Sequence, residues 1–97
     1  MEEFLYYNEL YDFYSGLLTD KQREYFEDYY FNNLSLAEMA ENYNVSRNAI
    51  FKQIKITKEK LDELEGQLSL KKKKEKLEKI ITKINDDNVK KELEELL

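Results

Sequence analysis

Apolar residues fall at 6, 10, 13 and 17, and again at 7, 10, 14 and 17, along residues 3–18. Steps of three and four follow the helical turn, so this stretch predicts an amphipathic helix with a wide apolar face. Thr19 then opens "TDKQ". Its side chain can accept from the backbone N–H three residues on, while Gln22 reaches back, which is a capping box. A second helix is expected over 20–31, with Tyr25, Phe26, Tyr29 and Tyr30 inward or half-inward. "NN" at 32–33 signals a turn. "SLAE" at 35–38 is a second capping box and predicts a short third helix to about Asn42. "YNVS" reads as a hinge, with Ser46 as the next N-cap.

From Ser46 the period changes. Ile50, Ile54, Thr57, Leu61, Leu64 and Leu68 step alternately by four and three. That two-per-seven seam is the spacing of a helix packed along another helix, so this one should run past residue 65. Gly66 weakens it by about 1 kcal/mol. After Leu68 the register jumps to Leu70, Leu77, Ile80, Ile81 and Ile84. A fresh helix start at Ser69 would set Lys71 to Lys74 on the positive end of the helix dipole, which is unfavourable. The pattern therefore favours a kinked or continuous helix over a clean break. "NDDN" at 85–88 supplies a turn and cap, and Val89, Leu93 and Leu96 mark a last short helix.

The expected fold is all-α, with five or six helices. The absence of Pro and the presence of only two Gly agree with it, since the punctuation of strands and turns is missing. The 97 residues suit one small domain with an extension, divided at 1–60 and 61–97. With no Cys and no His there is no disulfide framework and no thiolate or imidazole metal site. No cofactor motif stands out, and no nucleophile, base and orienting group come together, so the chain does not read as an enzyme. Asp86 and Asp87 read as a helix cap. No apolar run reaches the length of a membrane span, and the acidic start "MEEFLYYNEL" is unlike a secretory leader, so a cytoplasmic location is expected.

Charge is unevenly placed. The chain carries net −5. Residues 1–45 hold ten acids and two bases, whereas residues 46–60 hold five bases and one acid. The overall balance therefore conceals one basic segment, at the helix that follows the hinge.

That segment has the parts of a helix-turn-helix. Ala40 is a small residue where two helices touch, Val45 an apolar residue in the turn, and Ile50 an apolar residue one turn into the second helix, with Ile54 behind it. Asn44 sits where the chain needs a positive φ, which Asn tolerates well. On a helical wheel Ile50, Ile54 and Thr57 cluster on one side. Asn48, Phe51, Lys52 and Lys55 lie opposite, with Arg47 at the border. Donors outward and aliphatics inward is how a DNA-reading helix is built.

Residues 10–55 resemble the YlxM family of small bacterial helix-turn-helix proteins, through "DFYSGLLTDKQ", "YYFNNLSLAEMAE" and "NVSRNAIFKQIK". The helix-turn-helix is similar to the DNA-reading region 4 of sigma-70-type factors. Phe51 and Gln53 depart from the Tyr and Asn expected at those positions, which leaves base preference open. The resemblance implies a regulatory role linked to the signal recognition particle, whose GTPase is usually encoded beside the family. It fades after about residue 68.

Three functions follow as expectations. The first is a DNA-binding regulator contacting DNA through the 46–58 helix, with Arg47, Asn48, Phe51, Lys52 and Lys55 as its site. The second is an accessory factor that binds the particle's GTPase or its receptor without binding DNA. The third contacts the particle RNA through Lys52, Lys55 and the "KKKK" run at 71–74, although Glu75 and Glu78 make a solvated face the simpler account of that run. The aromatic residues before position 52 are better explained as core than as stacking platforms, Phe51 excepted. The seam to Leu68 is longer than a three-helix N-terminal core covers. Its far end needs either the last helices of the chain or a second copy, and a homodimer built from residues beyond 58 with part of the first helix is expected.

Overall fold

The computed structural model describes residues 2–97 and contains six α-helices and no strand among them. They are α1 (Glu2–Tyr14), α2 (Asp20–Tyr30), α3 (Leu36–Tyr43), α4 (Arg47–Leu68), α5 (Leu70–Ile81) and α6 (Asp87–Glu94), with a 3-10 turn at Ser15–Leu17 closing α1. The chain is thus all-α, as its patterning predicts.

Local chemistry starts the helices where the side chains dictate. Thr19 Oγ1 accepts from Gln22 N at 3.1 Å and Gln22 Oε1 accepts from Thr19 N at 2.9 Å. Ser35 and Glu38 repeat the box with two bonds of 3.0 Å. Ser46 Oγ accepts from Ala49 N at 3.0 Å, and Asp86 caps α6 through Asn88 N and Val89 N. Each such cap stabilises its helix by about 1 kcal/mol.

The core is one cluster. Leu10, Tyr14, Phe26, Met39, Ile50 and Leu61 are fully buried in it, joined by Tyr11, Leu18, Tyr25, Tyr30, Ala40, Ile54 and Leu64. Tyr11 and Tyr30 each stack on Phe26 with ring centroids 4.4 Å apart. Helix α4 carries the centre: α1, α2 and α3 all pack on it. Its buried residues are Ile50, Ile54, Thr57, Leu61 and Leu64, the seam read from the sequence without Leu68, which is exposed.

Two expectations are corrected here. The seam does not wait for a surface beyond the N-terminal core. Helix α1 runs parallel to α4 and reaches it at Lys58, Asp62 and Glu65 through Glu3, Tyr7 and Tyr14, so a single chain covers the stripe as far as Leu64. The helix is also neither continuous nor merely kinked at Ser69. Ser69 adopts a left-handed conformation (φ 54°, ψ 34°), ending α4 and preceding α5 in one residue. The dipole cost that argued against this break is met from outside α5. Glu65 presents its carboxylate to the new helix start, accepting from Lys71 N at 3.1 Å and Lys72 N at 3.2 Å. A half-buried anion at a helix N-terminus offsets the lysines that follow. Lys71 itself turns back to Glu75 and Glu9.

Candidate nucleic-acid interface

Between α3 and α4 the backbone makes a tight three-residue turn. Asn44 takes the left-handed conformation (φ 54°, ψ 47°), as expected of it. Its N–H donates to Glu41 O at 3.3 Å, and Val45 N–H donates to Ala40 O at 3.0 Å. The pair is a Schellman motif, which satisfies the last carbonyls of α3 and sets the angle at which α4 departs. Of the four residues expected to hold the unit together, Ala40, Ile50 and Ile54 are buried. Val45 is not: it is 41% exposed. Its part is played by its backbone N–H, which closes the turn on Ala40.

Arg47, Asn48, Phe51, Lys52 and Lys55 are all exposed. On α4 they occupy one arc covering its first three turns, while Ile50, Ile54 and Thr57 fill the buried arc. The four ion pairs among the described residues use Arg23, Lys58 and Lys71, so Arg47, Lys52 and Lys55 stay outside them. Ile56, also exposed, borders the arc and went unnoticed in the sequence.

The arc ends sooner than residue 58. Lys58, half-buried, pairs with Glu3, and its ammonium lies 4.9 Å from the centre of the Tyr7 ring. Burial disfavours the Lys58 charge, but the Glu3 carboxylate and the Tyr30 hydroxyl together outweigh it and leave the ammonium's pKa above its ordinary value. The same bond with Lys58 holds the Glu3 carboxyl below the usual range. Lys58 is thus committed to α1. From there on α1 covers the side of α4 that the exposed arc occupies earlier, with Tyr7 Oη donating to Asp62 Oδ2 at 2.8 Å.

Beside the arc is a groove of about 490 Å³, lined by Glu3 and Phe4 of α1, Tyr29 and Tyr30 of α2, Leu36 of α3, and Phe51, Ile54, Lys55 and Lys58 of α4. Phe51, 54% exposed, stands at its edge and belongs to both the arc and the groove. Nothing in the local sequence signals this groove, because it joins residues from four helices. The lysine run of α5 lies elsewhere: Lys71 is tied to Glu75 and Glu9, and Lys74 sits 5.7 Å from the Phe13 ring centre.

No cluster of three or more acidic residues suited to a metal ion occurs among the described residues, and no helix there is long and apolar enough to cross a membrane.

Residues 1–97 match the model of the family UPF0122, described as "Putative helix-turn-helix protein, YlxM / p13 like". The UPF0122 protein of Caldanaerobacter subterraneus subsp. tengcongensis is 44% identical over 85 residues, 88% of this chain and 73% of that protein. That of Halalkalibacterium halodurans is 43% identical over 86 residues, 89% of this chain and 79% of the relative. That of Listeria monocytogenes is 42% identical over 98 residues, 92% of this chain and 89% of the relative. The match extends through α5 and α6, well beyond the motifs that first carried the resemblance. With the helix-turn-helix in place between α3 and α4, the chain belongs to the UPF0122 family of YlxM / p13-like helix-turn-helix proteins.

Proposed function

We propose that this protein is a DNA-binding regulator that lays the first three turns of α4 in the major groove. Arg47, Lys52 and Lys55 contact phosphate or base edges, Asn48 contacts a base edge, and Phe51 makes an apolar contact such as one with a thymine methyl. The observation that supports this best is the state of these side chains. All five are exposed on one arc, and the three cations stand outside every ion pair among the described residues, on a helix whose other side is locked into the core. The family description, a helix-turn-helix protein, points the same way. In this reading residues 1–60 carry the DNA-binding unit and 61–97 a helical extension. Its working place is the cytoplasm, and its link to the signal recognition particle pathway rests on the family resemblance.

A second reading is supported by the groove. A concave strip of Phe4, Tyr29, Leu36 and Phe51 beside the helix suits a protein partner, such as the particle's GTPase or its receptor, better than it suits DNA. Fluorescence anisotropy with labelled random duplex DNA at several salt concentrations separates the two. Three phosphate contacts imply a logarithmic salt slope of about −2.7. No measurable affinity at low salt would sink the DNA reading and leave the protein-binding one.

A further inference from the structure

Two parts of this chain are incomplete in complementary ways. The groove between α1, α2, α3 and α4 is lined mainly by aromatic and aliphatic side chains, with Glu3 and Lys58 paired to each other at one side, and no other side chain among the described residues lines it. Unpaired Lys55 stands on its rim, with Lys52 one turn back along the helix. At the other end of the molecule α6 has no buried residue. Val89 and Leu93 lie along it and Leu96 follows in the turn just beyond its end; Val89 and Leu96 remain exposed, Leu96 at 77%. Around that stripe residues 86–97 hold five acids, Asp86, Asp87, Glu92, Glu94 and Glu95, against Lys90 and Lys91. Glu3 and Lys58 on the rim offset one another, so Lys55, with Lys52 behind it, supplies the charge that an amphipathic helix with acidic flanks would meet there.

The helix and the groove of one chain cannot meet. The groove lies against the first turns of α4, and α4 alone, at 22 residues, extends about 33 Å before α5 and α6 begin. The molecule is 56 Å long and 25 Å wide. Two copies laid side by side in opposite directions bring each tail to the other's groove. The contact then forms twice about one twofold axis and closes on itself.

We propose that α6 of a second copy fills the groove beside α4, giving an antiparallel homodimer in which the acidic tail of each chain covers Phe51 and Lys55 of the other. Because those two residues also belong to the reading arc, self-association and DNA binding exclude one another. The exclusion rests on the DNA reading above; the dimer does not.

Light scattering of the full chain from micromolar to millimolar concentration is the test. The mass should rise from 11.8 kDa towards twice that value. Tyr29→Glu in the groove and Leu96→Glu on the tail are both substitutions at exposed positions, and circular dichroism checks that each variant folds. Each should raise the concentration needed for dimer by about tenfold or more, since a carboxylate is forced against an apolar surface. An equimolar mixture of the two variants retains one intact groove and one intact tail, so it should dimerise better than either variant alone. A mass fixed at the monomer, a dimer indifferent to both substitutions, or a mixture that recovers nothing would each overturn the proposal. Leu96→Glu, far from the reading arc, should also bind duplex DNA several-fold tighter than the parent at concentrations where the parent dimerises. If no form binds DNA while the mass results hold, the DNA reading fails and the dimer stands.

Discussion

The Tyr14 hydroxyl donates to Glu65 Oε1 at 2.6 Å, and this bond joins three helices. The same hydroxyl accepts from Leu70 N at 3.1 Å, and Glu65 receives the N–H groups of Lys71 and Lys72. Residues of α1 and α4 thereby cap α5, whose own preceding residue, Ser69, offers no side-chain cap. The direction in which the C-terminal hairpin leaves the core is set by this fully buried tyrosine and its carboxylate.

Tyr14→Phe should destabilise the fold by about 1–3 kcal/mol, because the Leu70 N–H loses its partner in a part-buried place. Glu65→Ala should cost at least as much and should fray α5 first. Amide exchange at Leu70, Lys71 and Lys72 checks both: protection there should fall while that of α2 and α3 follows global stability. Equal loss in every helix would contradict the local role.

Acid should undo the same joint. Burial alone would raise the Glu65 pKa, but the Tyr14 hydroxyl and the Lys71 and Lys72 amides hold the carboxyl below its ordinary value of 4.5. A carboxyl with a depressed folded pKa contributes stability that is complete above the unfolded value. That contribution is lost as pH falls through the folded one. Stability and α5 amide protection should therefore decline on acidification below about 4.5, and Glu65→Gln should flatten that part of the profile. A profile unchanged by the substitution would exclude Glu65 as its source.

Ser69 holds φ 54° without being glycine. Left-handed backbone costs an ordinary residue roughly 1 kcal/mol. Ser69→Gly should therefore leave stability unchanged or raise it by up to about 1 kcal/mol. Ser69→Val, whose branched side chain fits that conformation badly, should lower it by more than about 1 kcal/mol. Denaturant melts of both variants test the break, since a continuous helix at Ser69 would reverse the order.

On the DNA reading, Lys55→Ala should weaken binding evenly across sequences and reduce the salt slope by about 1. Arg47→Ala, Lys52→Ala and Lys55→Ala combined should abolish it, and Asn48→Ala should relax preference at one base position. Unchanged anisotropy in the triple variant would remove this arc from consideration as the site.

The parts legible in the sequence are those governed by short range. The boxes at Thr19 and Ser35, the caps at Ser46 and Asp86, the left-handed Asn44 and the buried stripe from Ile50 to Leu64 each depend on residues within a turn or two, where spacing is geometry. The exposed arc of Arg47, Asn48, Phe51, Lys52 and Lys55 follows from the same wheel, because fixing which side of a helix is buried fixes the other side too. Three features belong to the tertiary structure alone. Lys58 lies near the same arc but is withdrawn from it by Glu3, 55 positions away. At the Ser69 break the Glu65 carboxylate reaches the start of α5, held there by the Tyr14 hydroxyl from 51 positions away. The groove exists because α1 lies parallel to α4 and leaves Phe4, Tyr29 and Phe51 around a shared gap. Helical periodicity tells each residue which way to face. It does not say which distant residue it will meet there, and that choice, made when α1 packs on α4, determined where the arc ends and what lies beside it.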